Sequence, residues 1–119
     1  MANITASYKR MNGNVDQILL MNLLLEGLRS KQNEDYREAI HLLGEYSRST
    51  AEHNVQVSTN AVRQLKRILG GCNNACEILD IIYETASRLS MDTSILNAVD
   101  EINDAYYHTM MMCSLVAEV

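Results

Sequence analysis

The densest hydrophobic stretch of the chain runs from Ile18 to Leu28, where eight of eleven residues are apolar. On a helix, with about 100° of rotation per residue, the nearby polar residues Asn22, Glu26 and Arg29 fall within one narrow stripe. A membrane-spanning helix needs about 20 apolar residues, and this run is shorter and contains a carboxylate. The pattern therefore predicts the central helix of a bundle, covered by other helices or by a partner, with Leu24 in the core.

The first helix is predicted over residues 15–30, because Asn14 and Gln17 have the spacing of a capping box. Residues 31–33 are polar and predict a connector. Beyond the second helix the apolar pattern fades, so this helix either frays near Asn54 or continues into the third. The apolar stripe predicted to face inward on the second helix is Tyr36, Ile40, Leu43 and Tyr46.

The second half of the chain predicts three more helices. A short helix over residues 61–69 is expected to end at Gly70-Gly71, and Asn73 or Asn74 is expected to cap the fourth helix. The fifth helix is capped by Asp92, and its apolar residues follow a 4-3-4-3 spacing as far as Val116. The inward face of the fourth helix is predicted to be Ala75, Ile78, Leu79, Ile82, Ala86 and Leu89.

Composition agrees with an all-α fold. The chain has no proline, phenylalanine or tryptophan and only five glycines, which favours helices over strands. We predict a compact bundle of about five helices, four of them substantial, in one domain over residues 14–119 with an N-terminal arm at 1–13. Three cysteines are an odd count and predict free thiols in a reducing compartment, the cytoplasm, since residues 1–14 show no export signal.

Two polar sets have the residue types of a carboxylate-bridged metal site. Glu38 and His41 have the Glu-x-x-His spacing that di-iron bundles use, and Glu45 follows one turn later. The fifth helix offers further carboxylates and an imidazole, without that spacing. Both sets lie opposite the apolar stripes, so solvated faces are predicted and no metal or cofactor is expected. The set on the fifth helix is Glu101, Asp104 and His108.

The charge pattern argues against nucleic acid as a partner. The net charge is −5, whereas phosphate backbones attract basic surfaces. The one basic cluster, Arg63, Lys66 and Arg67, could in principle serve a helix-turn-helix module but is expected to pair with carboxylates. No nucleophile lies in a glycine-rich elbow or in a triad pattern, so no enzymatic activity is predicted. The cysteines are interpreted as a turn residue, Cys72, and two core residues, Cys76 and Cys113.

The C-terminus carries more apolar residues than one helical face can turn inward. At least Met111 or Leu115 should remain on the outer side of the fifth helix. We therefore expect a homodimer formed through the first helix and this C-terminal segment, in a small cytosolic, non-enzymatic protein-binding module of the adapter, escort or inhibitor type. A metal-binding bundle and a helical DNA-binding regulator are the alternatives. The predicted interface is Met21, Leu25, Leu28, Met110, Met111, Met112, Leu115 and Val116.

Overall fold

The computed structural model describes the backbone of residues 2–117 and the side chains of residues 16–117. Within this range the chain is all-helical, as predicted, but it forms three helices and not five. These are α1 (Ala2–Ala51), α2 (Val55–Arg88) and α3 (Thr93–Ser114). They pack as an elongated bundle of 68 × 28 × 20 Å.

Two predicted helix ends are wrong. Residues 31–33 lie inside α1, and Gly70-Gly71 lies inside α2. Both glycines keep a negative φ, and the buried stripe of α2 continues on each side of them at Ile68 and Cys72. Glycine costs a helix about 1 kcal/mol relative to alanine, which the burial of this stripe outweighs.

Predicted caps fare in the same way. Asn14 lies inside α1, and Asn73 and Asn74 lie inside α2, so none of them begins a helix. Whether residues 1–13 act as a separate arm stays a prediction, because the side chains of that segment lie outside those described. The cap at Asp92 is confirmed, since its side chain accepts a hydrogen bond from the backbone N–H of Ser94 at 3.2 Å.

Short turns join the helices where the sequence offers capping groups. After α1 the chain turns through His53, whose φ of 59° is left-handed, and the side chain of Asn54 then caps α2 by accepting from the N–H of Val57. Ser90, with a φ of 52°, makes the corresponding turn before α3. Each turn is too short to cross the bundle, so consecutive helices run in opposite directions.

The core is a heptad repeat shared by all three helices. Buried and half-buried positions alternate at intervals of three and four residues, the spacing by which helices keep one stripe against their neighbours. The 4-3-4-3 spacing predicted for the last helix is confirmed, and the same spacing holds on α1 and α2. The stripe residues are Met21, Leu25, Leu28, Gln32, Asp35, Ala39, Leu42, Tyr46 and Ser49 on α1; Ala61, Leu65, Ile68, Cys72, Ala75, Leu79, Ile82 and Ala86 on α2; and Ile95, Val99, Ile102, Tyr106, Thr109, Cys113 and Val116 on α3.

The first helix is not enclosed as the sequence predicted. Met21 and Leu25 are buried at 5% and 4%, but Leu24 is 44% exposed. Two neighbouring helices cover only one side of α1, and the remaining apolar residues of the Ile18–Leu28 stretch face outward. The second predicted inward stripe is also displaced, because Ile40 is 49% exposed while Ala39 and Leu42 are buried.

Candidate functional site

An apolar surface crosses from α1 to α2 near one end of the bundle. We call it the α1–α2 patch, and its most exposed members are Ile81, at 63%, and Leu19, at 60%. Isolated exposed apolar residues are common on proteins, but a contiguous group marks an interaction surface. The members of the α1–α2 patch are Leu19, Leu20, Leu23 and Leu24 on α1 with Ile78 and Ile81 on α2.

The helix register brings these two sets of side chains to one groove. Farther along the bundle, Arg67 Nη2 donates to Glu38 Oε1 at 2.8 Å across α1 and α2. Leu24 lies 14 residues before Glu38, and Ile81 lies 14 residues after Arg67. Fourteen residues are two heptads, so on antiparallel helices Leu24 and Ile81 occupy the places equivalent to that ion pair. The groove that holds a salt bridge at one level is therefore lined by hydrocarbon at the other.

Carboxylates surround the α1–α2 patch. Glu77 and Glu84 lie one turn before and one turn after Ile81 on the exposed face of α2. On α1, Asp16 precedes Leu20 by four residues and Glu26 follows Leu23 by three, which places each one turn away on the same helix. The side chains described between residues 16 and 117 form no ion pair with any of these four carboxylates.

A second apolar surface lies between α1 and α3, toward the C-terminus. Arg29 Nη2 lies 3.7 Å from Glu101 Oε2 across these parallel helices, and Leu43 and Leu115 each follow their counterpart by 14 residues. Leu43 is half-buried and Leu115 is 77% exposed. The prediction that Met111 or Leu115 faces outward is thus confirmed for both residues. We call the set Ile40, Leu43, Met111 and Leu115 the α1–α3 patch.

The predicted dimer interface does not form one continuous surface. Met21 and Leu25 are part of the core, and Leu28, Met110, Met112 and Val116 pack partly against it. Met111 and Leu115 alone are freely exposed from that set. Because α1 and α3 run parallel, Leu115 is level with Leu43, about 30 Å along α1 from Leu23 at 1.5 Å per residue. The two ends of the predicted interface therefore belong to different patches.

A polar layer interrupts the middle of the core. Gln32 is 7% exposed, and its Nε2 donates to the carbonyl of Ala105 and to Thr109 Oγ1, each at 3.2 Å. Asp35 is 2% exposed, and its carboxylate accepts from Lys31 Nζ at 2.9 Å. Sequence reasoning missed this layer because polar residues at 31–33 suggested a connector. The continuing heptad spacing from Leu28 through Ala39 was the signal that could have revealed it.

The same layer contains buried thiols. Burial, reinforced by the nearby Asp35 carboxylate, raises the pKa of the Cys72 thiol to about 12 and that of Cys113 to about 11. Cys72 Sγ lies 4.0 Å from Asp35 Oδ2, the geometry of a weak S–H donor to a carboxylate. Cys72 is therefore a core residue of α2 and not the turn residue predicted. A protonated, buried thiol is a poor nucleophile.

The two candidate metal sets are spread over ion pairs at the surface. Glu38 pairs with Arg67, and His41 Nε2 lies 3.1 Å from Glu45 Oε2 within α1. On α3, His108 Nδ1 lies 3.3 Å from the carbonyl of Asp104. Among the side chains of residues 16–117, no group of three or more histidine, cysteine, aspartate or glutamate residues is arranged to hold a metal ion.

The basic cluster on α2 is divided. Arg67 reaches across to Glu38 on α1, so its carboxylate partner lies there and not on the last helix as the sequence suggested. Arg63 and Lys66 remain exposed and line a shallow depression with Thr59 and Val62. One cation of the predicted patch is therefore neutralised within the bundle.

Comparison with known proteins adds no further assignment. None of the helices, over the described residues, is long and apolar enough to cross a membrane. No protein-family model, curated protein or solved structure matches this chain. The three-helix bundle with its α1–α2 patch, α1–α3 patch and buried polar layer is what defines the protein.

Proposed function

We propose that this protein is a small, non-enzymatic binding module that recognises another protein through the α1–α2 patch. The supporting observation is the exposure of six neighbouring leucine and isoleucine side chains on a bundle whose core is already complete. Leu23 is 57% exposed and Ile81 63% exposed, although each could be polar without any loss of core packing. Burying these side chains against a partner would contribute about 25 cal/mol per Å² of apolar surface.

An adapter, an escort or an inhibitor would each use such a surface, so the proposal stays at the level of protein binding. The buried, protonated thiols favour binding over covalent catalysis. We propose the cytoplasm as the location, because Cys72, Cys76 and Cys113 are all free thiols in the core. A metal-binding bundle and a DNA-binding regulator are less favoured, because Glu38 and Arg67 neutralise each other.

Self-association is proposed through the α1–α3 patch. Met111 and Leu115 are 67% and 77% exposed, and the proximity of Ile40 and Leu43 extends this surface onto α1. A two-fold interface would bury the same patch twice. Sedimentation equilibrium at tens of micromolar should show a dimer that the pair Met111→Gln and Leu115→Gln converts to monomer. A monomer in the unaltered protein would refute self-association.

Affinity capture from the native host, followed by mass spectrometry, tests the binding function. The unaltered protein should retain a partner that Ile81→Glu releases, because a buried carboxylate without a counter-ion opposes docking. Val55→Glu is the matched control, since Val55 is an equally exposed aliphatic residue, at 72%, outside the patch. Equal capture by Ile81→Glu and the unaltered protein would contradict the proposed function.

A further inference from the structure

We infer that the partner segment at the α1–α2 patch is an amphipathic helix with basic residues flanking its apolar stripe. This inference rests on the proposed function and specifies the chemistry of the partner. Two features carry it: an apolar groove between two antiparallel helices, and the ring of carboxylates around that groove.

The groove has the form that a helix fills. Packed helices lie 8–10 Å apart, and the channel between two of them accepts the ridge of side chains on a third. Leu24 on α1 and Ile81 on α2 occupy equivalent places on its two walls, as the Glu38–Arg67 pair shows two heptads away. A helix with apolar residues at i, i+3, i+4 and i+7 would extend the heptad packing of the bundle to a fourth helix.

The charges around the groove select the flanks of that helix. Asp16, Glu26, Glu77 and Glu84 lie one turn from patch residues and outside every ion pair of the described side chains. Of the nearby cations, Lys31 is held by Asp35 and Arg29 is close to Glu101. Lysine or arginine on the partner would meet these carboxylates at the rim, where charge pairs set specificity and association rate.

A second copy of this chain fits the same surface poorly. Two α1–α2 patches facing each other would bring two rings of carboxylates together, and like charges across an interface are unfavourable. The net charge of −5 adds a general repulsion between copies and a general attraction for a basic segment. The α1–α3 patch lacks this ring and is the surface proposed for self-association.

Designed peptides and the full ¹⁵N-labelled chain provide the test. The probes are an amphipathic helical peptide of leucine and lysine, the same peptide with glutamate in place of lysine, and a scrambled leucine–lysine peptide of identical composition. The first peptide should shift the amide resonances of Leu20, Leu23, Leu24, Ile78 and Ile81. We expect the glutamate and scrambled peptides to leave them unchanged, because one lacks the charge and the other the apolar stripe.

Variants separate the apolar and charged contributions. Ile81→Gln should weaken the lysine peptide at least about tenfold, as loss of a central apolar contact does. The pair Glu77→Gln and Glu84→Gln should weaken it about fivefold at low salt and reduce its salt dependence. The charge-matched control is the pair Glu52→Gln and Asp104→Asn, which removes two exposed carboxylates elsewhere and should have little effect.

Three results would overturn the inference. Equal affinity for the lysine and glutamate peptides would refute the basic flanks, and resonance shifts confined to other surfaces would refute the groove. If no peptide shifts the patch resonances while affinity capture still depends on Ile81, the helix inference fails and the binding function stands. If capture is also independent of Ile81, both proposals fail.

Discussion

Replacing Gly70 and Gly71 with alanine should stabilise the protein. Both glycines lie in the middle of α2, are exposed, and have negative φ values that alanine adopts without strain. A Cβ added at either position meets no atom within 4 Å. The substitution therefore removes the conformational entropy penalty of glycine and introduces no clash.

The expected gain follows from helix propensity. Alanine is favoured over glycine inside a helix by about 1 kcal/mol, so the double variant should gain about 2 kcal/mol in the free energy of unfolding. For a domain of this size that corresponds to a rise in Tm of about 8 °C. The assays are urea and thermal denaturation followed by circular dichroism at 222 nm. Gly27→Ala is the control, because it is another exposed glycine with open space, in α1, and should gain about 1 kcal/mol.

A loss of stability in the Gly70→Ala and Gly71→Ala double variant, with a gain at Gly27→Ala, would refute the continuous α2. That result would mean that the two glycines adopt the left-handed turn which the sequence pattern first suggested, where alanine is strained. An unchanged Tm in both would refute the assigned helix propensity contribution at these positions.

Two further predictions concern the core and its thiols. Ile82→Ala should cost about 2–5 kcal/mol, whereas Leu24→Ala should cost less than about 1 kcal/mol, because Ile82 is 4% exposed and Leu24 44% exposed; equal costs in urea denaturation would contradict the boundary of the core. Stability should also fall as the pH rises above about 9, where thiols ionise in the unfolded chain while Cys72 and Cys113 stay protonated in the fold up to about 12 and 11. Each such thiol contributes a slope of at most about 1.4 kcal/mol per pH unit, and the pair Cys72→Ala and Cys113→Ala should reduce the fall in Tm between pH 8 and pH 10; an identical fall in the double variant would assign it to other groups.

The sequence by itself determined the helical class and much of the core. Glycine and proline are rare, and the apolar positions of the last helix repeat at 4-3-4-3 spacing, so its buried face followed directly from periodicity. The cap at Asp92 was also predictable, because a capping side chain acts on the N–H groups of its own first turn. Local interactions and periodicity are encoded within a few neighbouring residues.

The candidate site was only half predictable. Surplus apolar residues in the Ile18–Leu28 stretch and at the C-terminus indicated exposed apolar surface, and Met111 and Leu115 are exposed as expected. The contribution of Ile78 and Ile81 to the α1–α2 patch was not foreseen, because Ile78 was placed on the inward face of its helix. Which of several apolar residues faces outward depends on how many helices surround them.

Tertiary structure decided the number of helices and the places where they pair. Polar residues at 31–33 and the glycines at 70 and 71 resemble helix ends, yet burial of heptad positions on either side keeps both helices continuous. Asp35 could enter the core because Lys31 lies one turn away and Cys72 lies opposite on α2. The α1–α2 patch arises from the antiparallel register of two helices, and only packing between distant segments fixes that register.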